Sequence, residues 1–177
     1  MTEETRRVYG HVLHRIRARR DFDTVKAGDW GGWIEKERNL SDEGNCWVTY
    51  DAYVYDNARV FGNAQVYDNA RVYDNARVFG EAQVCDNARV FGNALIYDSA
   101  QISGAGAIFC IVGIGSRNGT ATFFACKDKK IRVSCGCFYG NIDEFTAKVR
   151  QTHGDNIHAK MYQLAIQMAK LKIEVDS

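Results

Sequence analysis

Four groups of side chains in this 177-residue chain are of types that can do chemistry. The first is the run Gly115, Ser116, Arg117, Asn118, Gly119, Thr120. Glycines let backbone N–H groups turn toward an anion, hydroxyls add donors, and arginine grips phosphate with a bidentate fork. The run has no Walker spacing and precedes no convincing helix, so a plain connecting loop is the alternative reading. Phe138 is the candidate ring to stack beside it. The second group pairs arginines with aromatics: Arg59 and Arg77 with Phe61, Phe79 and Tyr97; Arg71 and Arg89 with Tyr55, Tyr73, Phe91 and Phe109. Exposed columns of this kind serve as a subunit interface or as a stacking platform for a nucleotide. The third group is Cys126, Cys135, Cys137 and His153. Two thiols two apart in a strand share a face, where cysteine commonly acts as a small apolar residue, and no third group orients a Cys135–His153 pair. No catalytic residue and no metal site is expected. The fourth group, Arg15, Arg17, Arg19 and Arg20, reads as a phosphate-binding cluster or as a solvated charged face.

The elements that position these groups follow from a six-residue period. From Val54 the chain reads V-Y-D-N-A-R, V-F-G-N-A-Q, V-Y-D-N-A-R, V-Y-D-N-A-R, V-F-G-E-A-Q, V-C-D-N-A-R, V-F-G-N-A-L, I-Y-D-S-A-Q. An aliphatic residue recurs at twelve positions from Val48 to Ile114, with a small residue two before most of them. Residues two apart on a strand share a face, so both point inward. Asp-Asn or Gly-Asn then supplies the left-handed backbone that a tight corner requires. Three such units close a coil of about 18 residues. The pattern resembles the left-handed β-helix of hexapeptide-repeat proteins. Stacked coils should set Gln65, Gln83 and Gln101 in an amide ladder.

The ends depart from the period. Residues 1–47 read as an N-terminal cap over an otherwise bare strand edge. Residues 48–119 form the β-helix, and 120–177 a C-terminal ββαα cap. In the latter, 120–126 and 131–137 pair as strands around Lys-Asp-Lys-Lys. Asn141 with Glu144 starts a helix whose apolar stripe is Ile142, Phe145 and Val149, and Gly154 ends it. A second helix over 157–172 is expected to turn Met161, Leu164, Met168 and Leu171 inward. The fold class is therefore mainly β: a left-handed parallel β-helix with two caps.

A net charge of +1 argues against a polynucleotide-coating protein and against strong attraction to acidic membranes. No apolar run is long enough to span a bilayer and no signal peptide is visible, so the six cysteines read as reduced cytosolic thiols. Acyltransferase and carbonic anhydrase chemistry on β-helices requires histidines in the coils. His11, His14, His153 and His158 all lie outside the repeats.

Over nearly its full length the chain resembles phage and prophage hexapeptide-repeat proteins of unassigned function. The resemblance rests on H-R-I-R-A-R-R-D-F, G-D-W-G-G-W-I-E, N-L-S-D-E-G-N-C-W-V, the D-N-A-R-V-F-G-N-A repeats, I-G-S-R-N-G-T, C-G-C-F-Y-G-N-I-D-E-F and T-H-G-D-N. It implies a bacterial host cytoplasm and no known reaction. Trimeric shafts place sites between subunits, so the expectation is a non-enzymatic homotrimer without cofactor. Its candidate ligand residues are Gly115, Ser116, Arg117, Asn118, Thr120, Phe138, Arg71, Arg89, Phe91 and Phe109. The expected role is sequestration of a host nucleotide signal of defence. A structural or protein-binding adaptor is the second expectation.

Overall fold

A computed structural model describes residues 1–173. Its centre is a three-sided parallel β-solenoid with four strands on each face. One face stacks β3 (Trp30–Ile34), β6 (Tyr53–Val54), β9 (Arg71–Val72) and β12 (Arg89–Val90). The second stacks β4 (Leu40–Gly44), β7 (Arg59–Gly62), β10 (Arg77–Val78) and β13 (Leu95–Ile96). The third stacks β5 (Trp47–Val48), β8 (Gln65–Val66), β11 (Gln83–Cys85) and β14 (Gln101–Ser103). Partners are 18 residues apart, as in Val60↔Val78↔Ile96 and Val66↔Val84↔Ile102. This three-sided period is consistent with a left-handed β-helix.

Each hexad buries its Val or Ile and the Ala two before it; Val54, Val66, Val72, Val84 and their alanines are wholly inaccessible. Full burial of such an aliphatic side chain contributes about 1.5–3 kcal/mol. Alanine fits the other inward position because three walls converge there. The interior is filled and has no space for a ligand. At the corners Asp56, Asp68, Asp74, Asp86 and Asp98 hold φ between 56° and 59°, and Gly62, Gly80 and Gly92 take the same left-handed backbone. Aspartate is tolerated there because its carboxylate is used: Asp56 Oδ2 accepts from the Asp74 N–H at 3.2 Å, and Asp74 Oδ2 from the Gly92 N–H at 2.9 Å. Gln65, Gln83 and Gln101 stand in register. The Gln65 amide donates to the Asn45 carbonyl instead, at 3.0 Å, and side-chain bonding along the stack runs through corner residues such as Asn63 and Glu81 (2.7 Å).

The solenoid starts and stops earlier than the repeat suggests. Parallel pairing begins at Trp33–Ile34 on Tyr53–Val54 and ends with Gln101–Ser103. The offset in this first coil is 54 − 34 = 20, two more than 18. The offset is still 20 at Leu40↔Val60 and falls to 18 at Gly44↔Gly62, so the two extra residues bulge out between Leu40 and Gly44. Just before the bulge, Asn39 ties the segment to the next coil, donating to the Ala58 carbonyl at 2.8 Å while accepting from the Lys36 N–H at 2.7 Å. Before it, β1 (Thr5–Val8) and β2 (His11–Arg17) form a hairpin, and β2 runs antiparallel to β3, extending the first face to six strands.

At the other end Ile108 and Ile114 leave the coil in β15 (Ile108–Ile114). β15 pairs antiparallel with β16 (Gly119–Ala125), then β17 (Ile131–Cys135) and β18 (Phe138–Asn141) follow. The cap is thus ββββαα, closed by α1 (Ile142–His153) and α2 (Ile157–Lys172). Asn141 caps α1, accepting from the Asp143 and Glu144 N–H groups at 2.9 Å, and Gly154 ends it. Helix α2 is rotated from the expected orientation. Ala159, Tyr162, Ala165, Ile166 and Ala169 are buried, whereas Met161, Leu164, Met168 and Leu171 face outward. Three alanines let the helix lie close on the sheet, an advantage that ranking by side-chain hydrophobicity overlooks. No helix among the described residues is long and apolar enough to cross a membrane.

Candidate functional site

The two arginine–aromatic columns have different fates. Tyr55, Tyr73 and Phe91 stack at 5.2 and 5.4 Å between ring centroids. The N-terminal hairpin folds over the lower part of this column. Leu13, Trp33 and Tyr55 form a small buried cluster, the Arg71 guanidinium donates to the Tyr9 hydroxyl, and Arg6 donates to Tyr53 Oη at 2.9 Å. Only its upper end stays open: Arg89 is exposed and Phe91 is 43% exposed.

The other column is longer and free of the hairpin. Phe61, Phe79 and Tyr97 stack at 4.6 and 4.7 Å, and Tyr139 of β18 caps them at 4.3 Å. Tyr139 is fixed by donating its hydroxyl to Asp98 Oδ2 at 2.7 Å. At the N-terminal end of this column lies a groove of about 340 Å³ lined by Ser41, Glu43, Gly44, Arg59, Phe61 and Arg77. Arg59 and Arg77 are register partners on β7 and β10, and both are exposed. Neither has an ion-pair partner among the described residues. In-register like charges are destabilising, and an anion between them would relieve that repulsion, while Glu43 brings one carboxylate to the same groove. Phe61 supplies a ring face, and Ser41 a hydroxyl, at the same groove.

A second cavity of about 320 Å³ opens beside Ile16, Arg17, Arg20, Phe22 and Trp47. Two of its three arginines are engaged: Arg17 Nε donates to the Gly28 carbonyl at 2.8 Å, and Arg20 to the Gly44 carbonyl and Asn45, while Arg19 is exposed at its rim. Arg15 is shared between Glu4 and the Trp30 ring. These contacts use three of the four arginines of the N-terminal cluster to anchor the cap.

The run 115–120 is the tip of the β15–β16 hairpin. Asn118 donates its N–H to the Gly115 carbonyl at 3.2 Å, and Ser116, Arg117 and Asn118 are exposed. A Cβ on Gly115 would collide with the Tyr162 hydroxyl, so this glycine serves helix packing. Thr120 pairs with Val112 inside the hairpin. Phe138 packs on Phe145 at 5.1 Å and Phe109 on Phe123 at 5.9 Å, both within the C-terminal core. The structure therefore spreads the ten expected ligand residues over three places: Arg71, Arg89 and Phe91 on the first face, Phe109 and Phe138 in the C-terminal core, and the rest on a hairpin tip. Ser41 and Glu43 were invisible as site residues because they lie in the aperiodic segment and reach Arg59 only through coil stacking.

The thiols do not converge. Gly136-Cys137 is a two-residue hairpin turn between Cys135, the last residue of β17, and Phe138, which it pairs with. Cys135 Sγ faces the Tyr162 hydroxyl at 3.6 Å, Cys137 is exposed, and Cys126 is buried in the solenoid core. Burial pushes the Cys126 thiol up to about 11 and raises that of Cys135, the opposite of an activated nucleophile. The His153 ring stacks on Tyr162 at 5.8 Å rather than addressing the thiol.

His11, Glu35 and Asp56 do cluster. His11 Nδ1 lies 3.3 Å from Glu35 and Nε2 3.7 Å from Asp56. The imidazole thus bridges the two carboxylates with opposite sides of its ring. Burial pushes the Glu35 carboxyl up, but hydrogen bonds from His11, the Asp56 N–H and Lys36 outweigh it and hold the group below its usual range. The cluster latches the N-terminal hairpin to the first regular corner.

The repeat region matches the family described as "YdcK Beta solenoid repeat" at residues 52–68, 64–80, 82–98 and 88–104. It is also similar to the Escherichia coli (strain K12) protein named "Uncharacterized acetyltransferase YdcK", with 46% identity over 54 residues. That alignment covers 29% of this chain and 16% of the relative. The chain is thus supported as a hexapeptide-repeat solenoid by residues of the coil.

Proposed function

We propose that this protein is a non-catalytic binding module that holds an anionic, ring-bearing ligand of the nucleotide class in the groove between Ser41, Arg59, Phe61 and Arg77. The observation that carries this reading is the in-register pair Arg59 and Arg77, unpaired among the described residues and set beside stacked rings. A phosphate would neutralise both guanidinium groups, and a base would extend the Phe61–Phe79 stack. Within the phage resemblance, the matching role is sequestration of a host nucleotide signal of defence, in a bacterial cytoplasm. Acetyl transfer, the activity in the relative's name, draws no support from the coils, because all four histidines lie outside them. A protein-binding adaptor is the second reading; the exposed Arg89–Phe91 end of the first face favours it.

The test is thermal unfolding against ATP and cyclic mono- and dinucleotides, with recovered ligand weighed by mass spectrometry. A ligand at about a hundred times its dissociation constant stabilises by roughly 2.7 kcal/mol, or about 5–10 °C for a domain of this size. A shift with the compound returned unchanged, lost in Arg59→Ala and kept in Arg117→Ala, supports the groove. Turnover of the compound overturns the non-catalytic reading. No shift with any nucleotide favours the adaptor.

A further inference from the structure

Helix α2 carries an apolar stripe that its own chain does not cover. Ile157 is 65% exposed, Met161 37%, Leu164 61%, Met168 52% and Leu171 86%. Their spacing is four, three, four and three residues. This is the a/d alternation of a coiled-coil seam, with Met161 and Met168 at a and the other three at d. The residues that seat α2 on its own domain lie on the opposite side of the helix.

We propose that this stripe is a self-association seam and that its occupant is helix α2 of a second copy of this chain, running parallel. Three observations select that occupant. A strict four-three alternation suits a supercoiled helix, whereas a bilayer surface imposes no such register. The stripe exposes on the order of 500 Å², the upper end of what a monomer leaves bare. Two stripes together bury about 1,000 Å², the level at which specific interfaces begin. The charges also permit a copy. Helix α2 contains no Asp or Glu, and its lysines are Lys160, Lys170 and Lys172. In parallel register the flanking contacts run between residues five apart. Lys160 then falls opposite the position of Ala165, which is buried against its own domain and offers no charge, and Gln167 meets Lys172 of the second copy, so no lysine opposes another. The seam lies on the C-terminal cap, apart from the shaft, one face of which the N-terminal hairpin already covers in part. The proposal does not depend on the ligand groove.

Sedimentation velocity of the full chain and of the Leu164→Glu/Met168→Glu variant, from about 1 to 100 μM, tests it. The expected result is a wild-type mass at least twice 19.9 kDa and a variant at 19.9 kDa with unchanged far-UV circular dichroism. Leu171→Glu, at the most exposed seam position, should weaken assembly and keeps the test open should the double variant misfold. A wild type that stays monomeric, or an assembly that survives these substitutions, overturns the proposal. Monomeric wild type that floats with phosphatidylserine vesicles also overturns it, and assigns the stripe to a membrane surface.

Discussion

Replacing Arg77 by glutamine should move folding stability and ligand binding in opposite directions. Arg59 and Arg77 are register partners on adjacent strands, with backbones about 4.8 Å apart. Two unit charges about 5 Å apart in water repel by about 0.8 kcal/mol. Both side chains are exposed, so splaying and salt reduce this to a few tenths of a kcal/mol. Arg77→Gln relieves that repulsion while keeping a long polar side chain, so the free protein should gain a few tenths at low salt and lose the gain at high salt. The same substitution removes one of two charged donors from the groove. A hydrogen bond to a charged group contributes about 1.5–3 kcal/mol, which corresponds to roughly ten- to a hundredfold in affinity. Urea unfolding at two ionic strengths reads the first effect, and calorimetric titration with ATP or a cyclic dinucleotide reads the second. A variant that is less stable without ligand at low salt would show that Arg77 is engaged in the fold. A variant that binds nucleotide as tightly as wild type would falsify the groove as the site.

Gly44 and Gly104 both have positive φ, +82° and +73°, but a Cβ on Gly44 would run into the Gly62 carbonyl whereas Gly104 has open space. Gly104 has ψ −175°, a region nearly restricted to glycine, so alanine there should cost about 1–3 kcal/mol for the backbone alone; alanine at Gly44 adds about 1–3 kcal/mol of overpacking to its own positive-φ strain, and a Gly44→Ala variant as stable as wild type would contradict the stacking at the first coil. Glu35 has a folded pKa below its ordinary value, so its contribution is present above an unfolded carboxylate pKa of about 4.3 and is lost as pH falls through the lower folded value. Glu35→Gln should therefore flatten the acid limb of stability against pH, measured by urea unfolding; an unaltered limb would mean that the latch to His11 and Asp56 contributes nothing. Burial pushes the Cys46 and Cys126 thiols up to about 11, whereas Cys137 is exposed. Thiol titration of the native protein should show one fast group, abolished in Cys137→Ser, with the others reacting only on unfolding; several fast thiols would contradict the packing of both cores.

The coil was legible because its physics is local and repeated. A Val or Ile with Ala two before it, followed by Asp or Gly at a left-handed corner, specifies one short strand and one turn, and identical hexads can bury themselves only by stacking at 18 residues. The α1 cap was legible for the same reason: Asn141, Glu144 and Gly154 act within a turn of where they stand. The boundaries were not, since Ile108 and Ile114 keep the period while joining an antiparallel sheet. Gly136-Cys137 became a hairpin turn because β17 and β18 pair there, a choice made between strands rather than along one.

Helix α2 separates the two kinds of information most clearly. Its sequence has an apolar stripe of large residues and a second face of alanines with Tyr162 and Ile166, and either can serve as a buried side. Close approach to β15 and α1 selects the small-residue face, which leaves Ile157, Leu164 and Leu171 outside. The groove has the same origin. Composition supplies Arg59, Arg77 and Phe61, but only stacking of the aperiodic segment on the first coils sets Ser41 and Glu43 beside them. The sequence by itself determined the period, the corners and the inward residues, because those depend on neighbours a few positions away. Which face of a helix is covered, which arginines stay unpaired and where a cavity opens were decided by packing between segments distant in the chain.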